Sequence, residues 1–138
     1  MVFGRKPKES TEWLSSVAFF DGFSDAELGR VAKLFTEIEL PAGSVVMDQG
    51  DPGTYCYVIV DGEVGVYVRG ERVNSSGAGD VFGEMALVDH QPRTATVVAD
   101  TDLKLLRFGT RDFHRLMDEM PKANERIMGM LRARLEAS

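Results

Sequence analysis

The sequence is poor in the residues that disulfides, metals and acid-base catalysts require. It has one cysteine, Cys56, and two histidines among 138 residues. A single cysteine excludes an internal disulfide, and the apolar run around Cys56 predicts a small buried residue in a reducing compartment. His90 and His114 are too few to supply the converging ligands of a metal-dependent enzyme. We therefore expect no catalytic residues, no cofactor and no metal site.

The chain also lacks a long apolar run and a positive net charge. No run of about 18 apolar residues occurs, and no apolar stretch follows the basic N-terminus, so we expect neither a membrane span nor a signal peptide. The formal net charge of −6 argues against nucleic acid as a partner. We expect a cytoplasmic protein with one domain, residues 10–138, after a flexible tail of residues 1–9.

Helix signals lie at both ends of the expected domain. Apolar spacing predicts a first helix over residues 11–20. Ser24 and Glu27 read as a capping box that opens a second helix over residues 25–35. Near the C-terminus, Thr110 is expected to cap a helix over 110–119, and Pro121 to open a last helix over 121–136.

Between residues 36 and 108 the pattern changes to short strands divided by glycine. The dipeptide Asp61-Gly62 predicts a tight hairpin between two of these strands. Regular short strands with glycine breaks are typical of an antiparallel β jelly-roll barrel, so the predicted fold class is α+β, mainly β. The expected strands are Glu37–Leu40, Ser44–Asp48, Tyr55–Val60, Glu63–Val68, Glu71–Ser75, a short strand entering Phe82, Thr94–Ala99 and Asp102–Phe108.

The stretch from Phe82 to Val97 has the composition of an anion site. Gly83 can adopt a positive φ, and the run after it favours a short helix beginning near Glu84, whose free N–H groups would attract a phosphate. Pro92 fixes the chain direction before Arg93, whose planar fork can hold two phosphate oxygens. Together these features predict a site for one small anion and a sugar hydroxyl.

This stretch resembles the phosphate-binding cassette of the cyclic nucleotide-binding domains found in the catabolite activator protein, protein kinase A regulatory subunits and cyclic nucleotide-gated channels. The resemblance implies that Glu84 accepts from the ribose 2′-hydroxyl and that Arg93 and the helix amides hold the cyclic phosphate. No cassette position departs from the family pattern, and the likeness extends from about residue 13 to 136. The implied binding residues are Phe82, Gly83, Glu84, Met85, Ala86, Arg93, Thr94 and Ala95.

The resemblance also implies a moving part. Leu87 on the short helix would report phosphate capture to Phe113, so these two residues form a predicted switch. The last helix would then fold over the base as a lid. The candidate lid residues are Leu131, Arg134 and Leu135, although Arg134 also fits a solvated charge near a helix C-terminus.

The resemblance implies that the ligand is a cyclic nucleotide and that the chain acts as a sensor. Thr94 could bond to guanine, but one such bond is worth only about 1 kcal/mol. Family members with Thr at this position respond to cAMP as well, so the resemblance favours cAMP and leaves cGMP open. The sequence does not identify the effector protein or show whether the chain is part of a longer one, and a monomer or a weak homodimer through the last helix is expected. The alternative is an interaction module that kept the jelly roll but lost nucleotide binding.

Overall fold

The computed structural model describes residues 3–5, 12–52, 54–83 and 92–137. These ranges form nine strands, two short 3-10 helices and three α-helices. In chain order they are β1 (Phe3–Arg5), the 3-10 helices Glu12–Ser16 and Ala18–Phe20, α1 (Asp25–Val31), β2 (Thr36–Leu40), β3 (Val45–Met47), β4 (Tyr55–Asp61), β5 (Val64–Val68), β6 (Glu71–Ser76), β7 (Val81–Phe82), β8 (Thr96–Ala99), β9 (Leu103–Gly109), α2 (Thr110–Glu119) and α3 (Pro121–Ala137).

The strands form two antiparallel sheets. The first has the order β1-β2-β9-β4-β7 and the second has the order β3-β8-β5-β6. This arrangement confirms the predicted mainly-β jelly-roll architecture, although the described strands make two sheets and not one closed barrel. Among the described residues, no helix is both long and apolar enough to cross a bilayer.

Two apolar cores lie on opposite faces of the first sheet, because successive side chains of a strand point to opposite sides. On β4, Tyr57 and Ile59 belong to the core shared with the second sheet, which we call the inter-sheet core. Cys56 and Val58 belong to the core shared with the helices, the helix-side core. Cys56 is buried there, as expected from its apolar surroundings.

The first helical segment differs from its prediction. The sequence pattern predicts one helix over residues 11–20, whereas the structure has two 3-10 helices separated at Val17. Ser16 Oγ donates a hydrogen bond to the Trp13 carbonyl at 2.7 Å. Such side-chain bonds to nearby backbone compete with a regular α-helix.

The second helix begins as predicted and ends early. Ser24 and Glu27 form the predicted capping box, with Ser24 N donating to Glu27 Oε1 at 2.8 Å and Glu27 N donating to Ser24 Oγ at 3.1 Å. The helix ends at Val31 and not at Phe35. A tight turn follows, in which Leu34 N bonds to Val31 O, and both Leu34 and Phe35 are thereby buried.

The hairpin predicted at Asp61-Gly62 is wrong. β4 pairs with β7 and β9, whereas β5 pairs with β6 and β8, so this dipeptide crosses from one sheet to the other. The two-residue hairpin lies instead at Arg69 and Gly70, which have φ of 54° and 81° and join β5 to β6. A glycine-containing dipeptide marks a break between strands, but burial of the strand faces decides which strands pair.

The C-terminal helices lie close to their predicted ranges, whereas part of the N-terminal segment differs from its prediction. Thr110 was expected to cap α2, but Gly109 is the N-cap and Thr110 Oγ1 donates to Thr54 O at 3.3 Å. α2 and α3 otherwise span nearly the predicted ranges. Residues 1–9 were expected as a flexible tail, and the structure places Phe3–Arg5 in an edge strand paired with β2.

Candidate functional site

Arg93 is fixed through its backbone to the connection between β3 and β4. Its N–H donates to Asp51 O at 2.8 Å, and its carbonyl accepts from Gly50 N at 2.8 Å. β8 was expected to begin at Thr94 but begins at Thr96. Arg93 therefore lies outside the strand, and two backbone hydrogen bonds fix its position.

The Arg93 side chain is a buried cation with neutral partners. The residue is 5% exposed, its Nη1 donates to Gly83 O at 2.8 Å, and its Nη2 donates to Tyr55 O. No ion pair between described residues involves Arg93. Burial lowers the pKa of the guanidinium, which nevertheless stays charged at neutral pH. Because buried charges are normally paired, this cation is suited to receive an anion.

Gly83 is the residue that lets the guanidinium approach. Its φ is +87°, a conformation that side-chain-bearing residues rarely adopt. A Cβ at this position would lie 2.7 Å from Arg93 Nη1 and 2.9 Å from Tyr55 O. Glycine is thus required both by the backbone conformation and by the space.

Aromatic side chains line the same region. The rings of Tyr57 and Phe82 stack with centroids 5.0 Å apart, and the Arg107 guanidinium lies 4.4 Å from the centre of the Tyr55 ring. Sequence reasoning missed Tyr55, Tyr57 and Arg107. The alternation Tyr-Cys-Tyr was the available signal for the tyrosines, but only the register of β4 with β7 and β9 brings Tyr57 beside Phe82 and Arg107.

The structure brings together part of the predicted site. Phe82, Gly83 and Arg93 lie together, Ala95 is buried and Thr94 is exposed. Four predicted residues fall outside the described residues, namely Glu84, Met85, Ala86 and Leu87. The contributions of all these residues to ligand binding stay predictions.

The predicted lid and switch are only partly described. Leu131 packs against the helix-side core, and Phe113 is buried in that core. The side chains of Arg134 and Leu135 lie outside the described part of the chain. Their roles also remain predictions. In the ranges that the structure covers, no group of three or more His, Cys, Asp or Glu residues could hold a metal ion.

The fold and the site define a class of protein, a small jelly-roll domain with a buried arginine beside a glycine of positive φ. Residues 37–120 match the family described as the cyclic nucleotide-binding domain. The chain belongs to this family, as the resemblance of the cassette predicted.

Known relatives agree with this assignment. The chain is 42% identical over 122 residues to a cAMP-dependent protein kinase regulatory subunit of Debaryomyces hansenii, covering 87% of this chain and 27% of the relative. It spans about a quarter of the length of the curated relatives it matches.

Solved structures show the same fold. A cyclic nucleotide-binding domain from Methylobacillus flagellatus is 25% identical with a TM-score of 0.78, covering 99% of this chain and 84% of that one. The catabolite activator protein of Thermus thermophilus is 28% identical with a TM-score of 0.77, covering 87% of this chain and 59% of that one.

Proposed function

We propose that this chain is a sensor domain that binds a cyclic nucleotide, with cAMP favoured over cGMP. The observation that carries the proposal is the Arg93 guanidinium, which is buried, charged and bonded among the described residues only to two carbonyl oxygens. A cyclic phosphodiester carries one negative charge, and so it would supply the anionic partner that the Arg93 guanidinium lacks among the described residues. The names of the kinase-subunit relatives, which specify cAMP, support the choice of nucleotide.

The proposed site divides the ligand among its residues. Arg93 would exchange its hydrogen bond to the Gly83 carbonyl for one to a phosphate oxygen. Because Gly83 has no side chain, it would leave room for both the guanidinium and the phosphate. Glu84 would accept from the ribose 2′-hydroxyl, and the amides near Met85 and Ala86 would complete the phosphate contacts. Thr94 is exposed and so is free to face the base.

Calorimetric titration of three arginine variants tests the proposal. Arg93→Ala leaves the phosphate unpaired and should weaken cAMP binding by about 2–5 kcal/mol. Arg93→Lys keeps the charge without the fork and should bind with intermediate affinity. Arg30→Ala removes an exposed arginine of α1 and should bind like the parent. Parent-like binding by a folded Arg93→Ala variant would refute the site, and a parent that binds neither cAMP nor cGMP would refute the function.

We also propose that ligand binding moves the end of α3 toward the base and so signals to an effector protein, a kinase being the class that the relatives' names indicate. Residues 128–131 of α3 are only half-buried, which leaves this part less tightly packed than Ile127 before it. Amide hydrogen exchange, measured with and without cAMP, should slow over residues 128–137 in the parent but not in Arg93→Ala. Equal exchange with and without cAMP would count against the movement.

A further inference from the structure

Tyr57 lies among the residues that hold the Arg93 guanidinium. It is on β4 opposite Phe82 of β7, and its ring stacks on the Phe82 ring. Tyr55, two residues earlier on the same face, supplies one carbonyl acceptor of Arg93, and Gly83, next to Phe82, supplies the other. Tyr57 thus contacts the residue that precedes Gly83, and the charge of Arg93 is close enough to act on the Tyr57 phenol.

Tyr57 is a buried residue whose hydroxyl has no hydrogen-bond partner in the described part of the chain. The residue is 8% exposed and belongs to the inter-sheet core, and no described group bonds to its phenolic oxygen. Buried tyrosine hydroxyls normally have a hydrogen-bond partner, and a buried polar group without one is destabilising. The chain offers a contrast in Tyr67, whose hydroxyl accepts from Arg72 Nη1 at 3.2 Å. Tyr57 thus carries a polar group that the described contacts leave unsatisfied.

The protonation state of Tyr57 suits an anion. Burial raises the pKa of the phenol, with the positive charges of Arg107 and Arg93 opposing the rise. The hydroxyl therefore keeps its proton at neutral pH and can donate a hydrogen bond. A charged oxygen acceptor bound next to Arg93 would give the Tyr57 hydroxyl the hydrogen-bond partner that it lacks.

We propose that the Tyr57 hydroxyl is a further ligand contact, which donates a hydrogen bond to a phosphate oxygen of the nucleotide held by Arg93. This inference rests on the proposed function. It assigns the Tyr57 hydroxyl a role in affinity for the phosphate, while the Tyr57 ring packs in the inter-sheet core.

The substitution Tyr57→Phe isolates the hydroxyl, because it keeps the ring that stacks on Phe82. A hydrogen bond to a charged group is worth about 1.5–3 kcal/mol, so cAMP affinity measured by calorimetry should fall about 10-fold or more. The thermal midpoint of the ligand-free protein should be unchanged or higher, since an unpartnered buried hydroxyl is removed. Tyr67→Phe, which removes the hydroxyl bonded to Arg72, should leave the affinity unchanged.

The outcomes separate the inference from the function. If the parent binds cAMP and Tyr57→Phe binds equally well, the inference is wrong while the proposed function stands. If Tyr57→Phe lowers the ligand-free thermal midpoint and the cAMP affinity falls no more than for Tyr67→Phe, the hydroxyl has a structural role and the inference is again wrong. If the parent binds no cyclic nucleotide, both are overturned.

Discussion

At the scale of single residues, Gly83 joins backbone conformation to the proposed chemistry. Its φ of +87° alone favours glycine, and the Arg93 guanidinium occupies the space of a side chain. Gly43 has almost the same φ, +88°, but a Cβ there would meet nothing within 4 Å. The two glycines therefore share the conformational constraint and differ in the steric one.

Substitution of these glycines by alanine separates the two effects. Gly43→Ala should lower the free energy of unfolding by about 1–2 kcal/mol, because alanine is strained at positive φ. Gly83→Ala should lower it by more, because the added Cβ would also meet Arg93 Nη1 and the Tyr55 carbonyl. Only Gly83→Ala should also displace the guanidinium and weaken cAMP binding, by about 10-fold or more. Urea unfolding and calorimetry measure the two quantities. Equal affinities in the two variants would show that the close approach at Gly83 is not needed for binding.

At the scale of elements, the sequence predicted where strands lie better than how they pair. Alternating apolar residues and glycine breaks are local signals, and they located β4, β5 and β9 to within one or two residues. Pairing depends on which strand faces are buried, so the hairpin predicted at Asp61-Gly62 is absent, whereas the glycine break at Gly70 is a hairpin turn.

The same distinction applies to the site. Gly83 and Arg93 could be proposed because they lie in one short stretch with a recognisable spacing. Tyr57 and Arg107 could not, because they come together only through the register of β4 against β9. A contact between residues so far apart in sequence leaves no local pattern.

The contact between α1 and α3 gives a pH-dependent prediction. Glu27 accepts from Ser24 N and lies 2.9 Å from Lys122 Nζ on α3. The Ser24 backbone hydrogen bond and then Lys122 lower the pKa of Glu27 from 4.5 to about 2. A carboxylate with a depressed folded pKa stabilises the protein above its unfolded pKa, and this stabilisation is lost as the pH falls toward the folded value.

Glu27→Gln removes this charge with little change in shape. The thermal midpoint should be lower than that of the parent at pH 7, and the difference should shrink from about pH 4.5 downward and vanish near pH 2. Glu125→Gln, at an exposed position of α3, should follow the parent throughout. A deficit of the Glu27 variant that stays constant down to pH 2 would mean that the carboxylate charge is not its cause.

At the scale of the whole molecule, the first sheet makes the two cores interdependent. Leu105 and Leu106 are adjacent on β9 and fully buried, but Leu105 belongs to the inter-sheet core and Leu106 to the helix-side core. β9 also pairs with β2 on one side and β4 on the other. Loss of packing on either face should therefore disturb the same central strand.

We predict that the two cores unfold together. Leu105→Ala and Leu106→Ala should each lower the free energy of unfolding by about 2–5 kcal/mol, since each leaves a cavity in a fully buried position. Trp13 packs edge-on against Phe35 at the helix-side core, so its fluorescence reports that core, while far-ultraviolet circular dichroism reports the sheets. In both variants the two signals should change in one coincident urea transition, as expected for a cooperative domain. A Leu105→Ala variant whose sheet signal is lost before its Trp13 signal would show instead that the helix-side core is stable without the second sheet.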